Sequence, residues 1–282
     1  MKFEMKKMMI IAVLSLLPLS LFAQSGDTFT HPWKGATVAF FGDSITDPGS
    51  IPEKHYWTGR QDTHYWGYLQ EWLEIKPLVY GVSGRKWDDV GNQAEQLKKE
   101  HGDNFDAITI LLGTNDFIGD VPIGEWYTLT LKTTKSAMGT PAREYEWLAK
   151  TPVMDIATLK GRINIAVSTL KRMFPDKQIV ILTPIHRAYA TFGDENIQPD
   201  ESFPNKIGVY FLEYVNAVKE AGNVWGVPVI DLNSLCGINP MVEEQVSYFS
   251  NSETDRLHPN AKGHKRIAQT LMYQLLTLPC RF

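Results

Sequence analysis

Apolar and polar positions along the chain fall into two alternating kinds of segment. Short, unbroken apolar runs rich in β-branched residues occur at Ala36 to Phe41, Pro77 to Tyr80, Ala107 to Leu112, Gln178 to Thr183 and Val227 to Leu232. Strands buried on both faces of a parallel sheet read as continuous runs of this kind. Between them, apolar residues recur every three or four positions. Ile156, Leu159, Ile163, Val167, Leu170 and Met173 predict an amphipathic helix ended by Pro175. Ile207, Tyr210, Phe211, Tyr214 and Val218 predict a second, with Gly222 as its stop. Ile267, Leu271 and Leu275 predict a last helix, with Pro259 in its first turn. Strand alternating with helix predicts an α/β fold, a five-stranded parallel sheet with helices on both faces. Such sheets bind ligands at the carboxyl ends of their strands.

Three long connections break the alternation: Thr46 to Trp66, Gly119 to Met154 and Ile185 to Asn205. Connections of this length in a compact domain often wall or cover a site. No repeat or low-complexity tract divides the chain, so a single domain with decorated loops is expected.

The first 23 residues stand apart. Lys2, Lys6 and Lys7 precede an apolar run from Met8 to Leu17, and Ala23 offers a small residue for cleavage. This is the pattern of an export signal, and the run is short for a membrane span. Residues 24–282 would then be the exported domain, periplasmic or secreted, with no stable membrane insertion after processing. An exported protein can form disulfides, which leaves pairing of its two cysteines, Cys236 and Cys280, open. The net charge of −4 and the absence of a basic patch argue against a nucleic-acid partner. Oligomeric state is not legible.

The chemistry-bearing residues sit at the strand ends. The first strand runs into Gly42-Asp43-Ser44, placing a hydroxyl at the sheet edge. A serine needs a neighbouring base to act as a nucleophile. Among the seven histidines, only His258 has an acid three residues before it, in Asp255-Arg256-Leu257-His258. A carboxylate there would fix the imidazole tautomer and stabilise the imidazolium. The second strand ends near Gly81, whose backbone N–H can approach an oxyanion closely. The third runs into Gly113-Thr114-Asn115-Asp116, where the Asn115 amide can donate to the same charge. No HExxH or paired-cysteine spacing suggests a metal.

Taken in order, Gly42-Asp43-Ser44, Gly81, Gly113-Thr114-Asn115-Asp116 and Asp255-x-x-His258 resemble the sequence blocks of the SGNH, or GDSL-type, serine hydrolases. The resemblance implies a flavodoxin-like three-layer α/β/α fold. It implies Ser44 as nucleophile, His258 as base and Asp255 as orienting acid, with an oxyanion hole from the Ser44 and Gly81 backbone N–H groups and the Asn115 side chain. It implies no cofactor. One place departs from the pattern: Val79 stands where the second block often has Asn.

Aromatics crowd the long connections and the second block. Trp57, Trp66, Trp87, Trp126 and His186 are expected to line a substrate cleft and stack on sugar rings. With the export signal, and with the acetyl-removing habit of many exported members of the family, they point to a carbohydrate acetylesterase. A lipase or lysophospholipase is the alternative, and a non-catalytic glycan-binding module a more distant one.

Overall fold

The computed structural model describes residues 31–49, 64–135, 144–280 and 282. The expected export signal and Trp57 lie outside them. In chain order the first elements are β1 (Thr37–Gly42), α1 (Tyr65–Leu73), β2 (Lys76–Val79), α2 (Val90–His101), β3 (Ala107–Leu111) and α3 (Thr114–Ile118). Next come β4 (Tyr127–Lys135), β5 (Glu144–Pro152), α4 (Leu159–Met173), β6 (Gln178–Leu182), β7 (Ala190–Thr191) and β8 (Ile197–Gln198). The chain closes with α5 (Phe211–Trp225), β9 (Val229–Ile230), α6 (Leu232–Leu235), β10 (Phe249–Asn251), β11 (Asp255–Pro259) and α7 (Ala261–Thr277).

Five strands form a wholly parallel sheet in the order β2-β1-β3-β6-β9. This is the doubly wound order of flavodoxin-like folds. Within each apolar run, successive side chains go to opposite faces. Ala39, Phe41, Ile108, Ile110, Ile179 and Ile181 pack with α2, α4 and α5. Val38, Phe40, Leu111, Val180 and Leu182 pack with α1 and α7. Two cores result, one per face, and that is why the runs are apolar throughout.

Several boundaries differ from the sequence expectation, each for a local reason. Only Val229–Ile230 of the fifth run is strand; Asp231 turns the chain and its carboxylate caps α6 by accepting from Ser234 N at 3.4 Å. Ile156 stays outside α4, because Thr158 is its N-cap and accepts from Gly161 N at 3.3 Å. Gly222 does not stop α5: the helix runs on to Trp225 and ends at Gly226. A Cβ at Gly222 would stand 2.8 Å from Val229 Cγ2, so this glycine lets the helix lie close against β9. Pro259 ends β11, and Asn260 caps α7 by accepting from Lys262 N and Gly263 N.

Two of the connections contain strands among their described residues. Gly119 to Met154 contains the β4–β5 hairpin, and Ile185 to Asn205 contains β7 and β8. The latter pair joins β10 and β11 in a small sheet of order β10-β11-β7-β8. Its register lines up Asn251, Asp255, Ala190 and Gln198 in one transverse row. Cys236 and Cys280 are both free thiols. Cys236 is buried, and burial pushes its thiol up to about 11. Among the described residues no helix is long and apolar enough to cross a membrane.

Candidate active site

Beyond Gly42 the chain leaves β1 in a single tight turn. Thr46 N and Asp47 N both return to the Asp43 carbonyl, at 3.0 and 2.9 Å. Ser44 is therefore lifted, half-buried, at the carboxyl end of the central sheet. The small sheet supplies its partner from 214 residues away: His258 Nε2 lies 2.8 Å from Ser44 Oγ. His258 Nδ1 lies 3.0 Å from Asp255 Oδ2 and 3.2 Å from Oδ1. Asp255 Oδ1 also accepts from the backbone N–H groups of Leu257 and His258, at 3.1 and 3.0 Å. Burial by itself would raise this carboxyl. The hydrogen bond and charge of His258, with the two backbone donors, outweigh burial and hold it below the usual carboxylate range. An acceptor-only carboxylate here assigns the proton of Nδ1 and leaves Nε2 as the acceptor for a serine hydroxyl.

The ends of the two neighbouring strands carry the other candidate donors. Among the described residues neither the Ser44 nor the Gly81 backbone N–H has a protein acceptor. Asn115 Nδ2 donates to Arg85 O at 3.0 Å and, more loosely, to Asp43 Oδ2 at 3.3 Å. Gly81 sits so close to the serine turn that a Cβ would fall 2.6 Å from Thr46 C and 2.7 Å from Asp47 N. Only glycine permits that approach.

The loop around Gly81 is secured although Val79 replaces the usual amide. Gln93, buried in α2, donates Nε2 to Gly42 O at 3.0 Å and to Tyr80 O at 2.8 Å, tying the ends of β1 and β2 together. Asp47 Oδ2 accepts from Ser83 N at 2.9 Å and from Ser83 Oγ at 2.8 Å. The sequence signal for Gln93 was a polar residue on the same helical face as Val90, Ala94 and Leu97. Beneath the site lie two buried acids. Burial raises Asp43 to about 6 against the lowering effects of the Ile45 N–H and of His258. Burial likewise raises Asp116 to about 6, although Arg162 Nη1 and Trp87 N donate to it at 2.9 and 3.1 Å.

The cleft that opens on Ser44 has a volume of about 580 Å³. Besides Ser44, Asn115, Asp255 and His258, its walls include Ser83, Thr191, Asn196, Gln198, Asn251 and Thr254, with Phe192 and Leu257 as its apolar members. Phe192 meets the His258 ring edge-on, with centroids 5.3 Å apart.

Most of the aromatics expected to bind substrate belong elsewhere. Trp66 lies in the core under α1 and donates Nε1 to Thr46 O at 3.0 Å, so it braces the serine turn from behind. Trp87 and Trp126 are buried in the opposite core, and Trp126 Nε1 donates to Glu220. Indole rings fill the space between layers because they bury the largest apolar area. His186 lines a separate cavity of about 510 Å³ with Glu201, Tyr210 and Met241. Its Nδ1 lies 2.6 Å from Glu201 Oε1, an interaction that raises the imidazole against the opposing effect of burial.

The chain matches the family described as "GDSL-like Lipase/Acylhydrolase family" over residues 40–266. Solved structures share the fold. One from Lactobacillus plantarum superposes with a TM-score of 0.63 at 21% identity, covering 86% of this chain and 97% of that one. A possible lipase from Chitinophaga pinensis gives 0.57 at 22% identity, covering 86% and 100%. The acetyl xylan esterase AlAXEase gives 0.50 at 17% identity, covering 85% and 99%. No curated protein matches the chain.

Proposed function

Because this chain belongs to the GDSL-like lipase/acylhydrolase family, whose members are ester hydrolases, we propose that it cleaves esters through an acyl-enzyme on Ser44. The observation that carries the reading is the unbroken relay from Ser44 Oγ through the His258 imidazole to Asp255. Ser44 Oγ attacks the ester carbonyl while His258 Nε2 takes its proton. The tetrahedral oxyanion meets the N–H groups of Ser44 and Gly81 and the Asn115 amide, which exchanges its 3.3 Å bond to Asp43 Oδ2 for the oxyanion; one such donor is worth ~3 kcal/mol by analogy with measured oxyanion holes. His258 gives its proton to the departing alcohol. Water then repeats the cycle on the acyl group, with His258 again as base.

The substrate we propose is an acetylated carbohydrate. Support comes from the cleft: among the described residues its walls carry many hydroxyl and amide side chains, with Phe192 and Leu257 as the apolar members. Hydrogen-bonding side chains of this number suit a polyhydroxylated substrate better than a long acyl chain. The N-terminal basic and apolar run supports export, where such glycans are met.

Two measurements test the reading. Ser44→Ala should lose at least about 10³-fold of the kcat for p-nitrophenyl acetate and all labelling by a fluorophosphonate, with an unchanged Tm. Retained turnover or labelling would place the nucleophile elsewhere. The wild type should release acetate from acetylated polysaccharide and prefer p-nitrophenyl acetate to the octanoate. The opposite preference would favour a lipase.

A further inference from the structure

Arg187 is a buried cation behind the cleft. Its side chain is 0% exposed, yet Nε and Nη1 have no hydrogen-bond partner among the described residues. Nη2 donates to Gln198 Oε1 at 2.8 Å, and the guanidinium lies 5.5 Å from the centre of the Phe117 ring. The Arg187 backbone N–H donates to Glu201 Oε2 at 3.2 Å. Burial lowers the guanidinium to about 10 against the support of Glu201, Asp255 and Asp43, so it remains a cation at neutral pH.

The consequence lies in Gln198. A side-chain amide can turn either its oxygen or its nitrogen toward a neighbour. A guanidinium carries donors and no acceptor, so Gln198 can face it only with oxygen. The nitrogen is thereby turned the other way. One of its protons goes to Asn196 Oδ1 at 3.0 Å, the second has no acceptor among the described residues, and Gln198 lines the cleft. Gln198 also stands in the transverse row with Asn251 and Asp255, so the amide shares a face with the acid of the relay.

We propose that Arg187 is a positioning residue that locks Gln198 as a hydrogen-bond donor toward the alcohol side of the ester, so that the β7–β8 hairpin selects alcohols rich in further oxygen acceptors, such as a sugar ring. The proposal rests on the esterase reading of the same cleft. Its chemistry concerns the leaving group and not the acyl group.

The test compares glucose pentaacetate with phenyl acetate, whose alcohol side has no further oxygen acceptor. Gln198→Glu keeps an oxygen for Arg187 and removes the N–H from the cleft. It should leave Tm unchanged or raised. The ratio of kcat/KM for glucose pentaacetate to that for phenyl acetate should fall about tenfold, with KM for glucose pentaacetate rising. Arg187→Met, which frees the amide to turn, should move KM in the same direction. Arg187→Lys, again a donor only, should restore KM to within about threefold of the wild type. Equal losses on both esters, or an unchanged KM in Gln198→Glu, would overturn the proposal. Should the wild type cleave neither ester, the esterase reading itself fails. Calorimetric binding of glucose pentaacetate to Ser44→Ala then reads the wall separately: weaker binding when Gln198→Glu is added supports it, and equal binding overturns it.

Discussion

The central parallel sheet and the small antiparallel sheet each bring half of the candidate site, and they are built by opposite means. The central sheet is closed by apolar area on both faces and ends in the Ser44 turn, Gly81 and Asn115. The small sheet has strands of two to five residues and little apolar area of its own. It is fastened instead by polar side chains: Asn260 to Ser247 O and Phe249 O, Arg187 to Gln198, and Glu201 to His186 and Arg187 N. It carries Asp255, His258 and a wall of the cleft. The apolar half therefore presents the proposed nucleophile and oxyanion donors. The polar half presents the proposed base and the surface that meets the rest of the substrate. Loop-borne contacts held on a packed scaffold vary without cost to the core.

The comparison can be broken most severely at the junction of the two sheets. His258→Ala should lower kcat for p-nitrophenyl acetate by about 10⁴-fold or more, with Tm close to that of the wild type, because only the relay is cut. A loss of less than tenfold would mean that another base serves Ser44. Trp87→Ala probes the apolar half. As a core residue it should cost about 3–5 kcal/mol of unfolding free energy in urea. A raised KM with unchanged stability would return Trp87 to the substrate. Asn115→Ala should lower kcat about 10²-fold with little change in KM, the pattern of a donor used in the transition state. An effect on KM alone would make it a ground-state contact.

The smallest expected effect is one of pH. Burial raises Asp43 to about 6, so the folded protein keeps a proton there that the unfolded chain has already released. Its contribution to stability is present at low pH and is lost as pH rises from about 4 through about 6. Asp255 runs the other way: its depressed carboxyl stabilises the fold above the unfolded value, and that contribution is lost in acid. Asp43→Asn should therefore reduce the fall in stability between pH 4 and 7 by on the order of 2 kcal/mol. Unfolding free energies measured across that range read the slope, whatever the absolute change. An unaltered slope would mean that Asp43 is ionised throughout.

By itself the sequence determined the layered α/β scaffold and the strand ends at which the candidate residues fall. A strand buried on both faces must be apolar along its whole length, and a motif at its end stays adjacent in the chain, so both leave a local trace. The same logic misread the tryptophans. An indole in a polar stretch looks the same whether it packs a core or faces a ligand, and only burial separates the two, as it does for Trp66, Trp87 and Trp126. Strands of two residues leave no period to read, which hid β7 and β8. The roles of Gln93 and Arg187 depend on partners 51 residues away at Gly42 and 11 residues away at Gln198, set by packing rather than by spacing. Tertiary structure alone decided the cleft wall, because hydrogen bonds across a fold are chosen by three-dimensional distance, to which residue order gives no access.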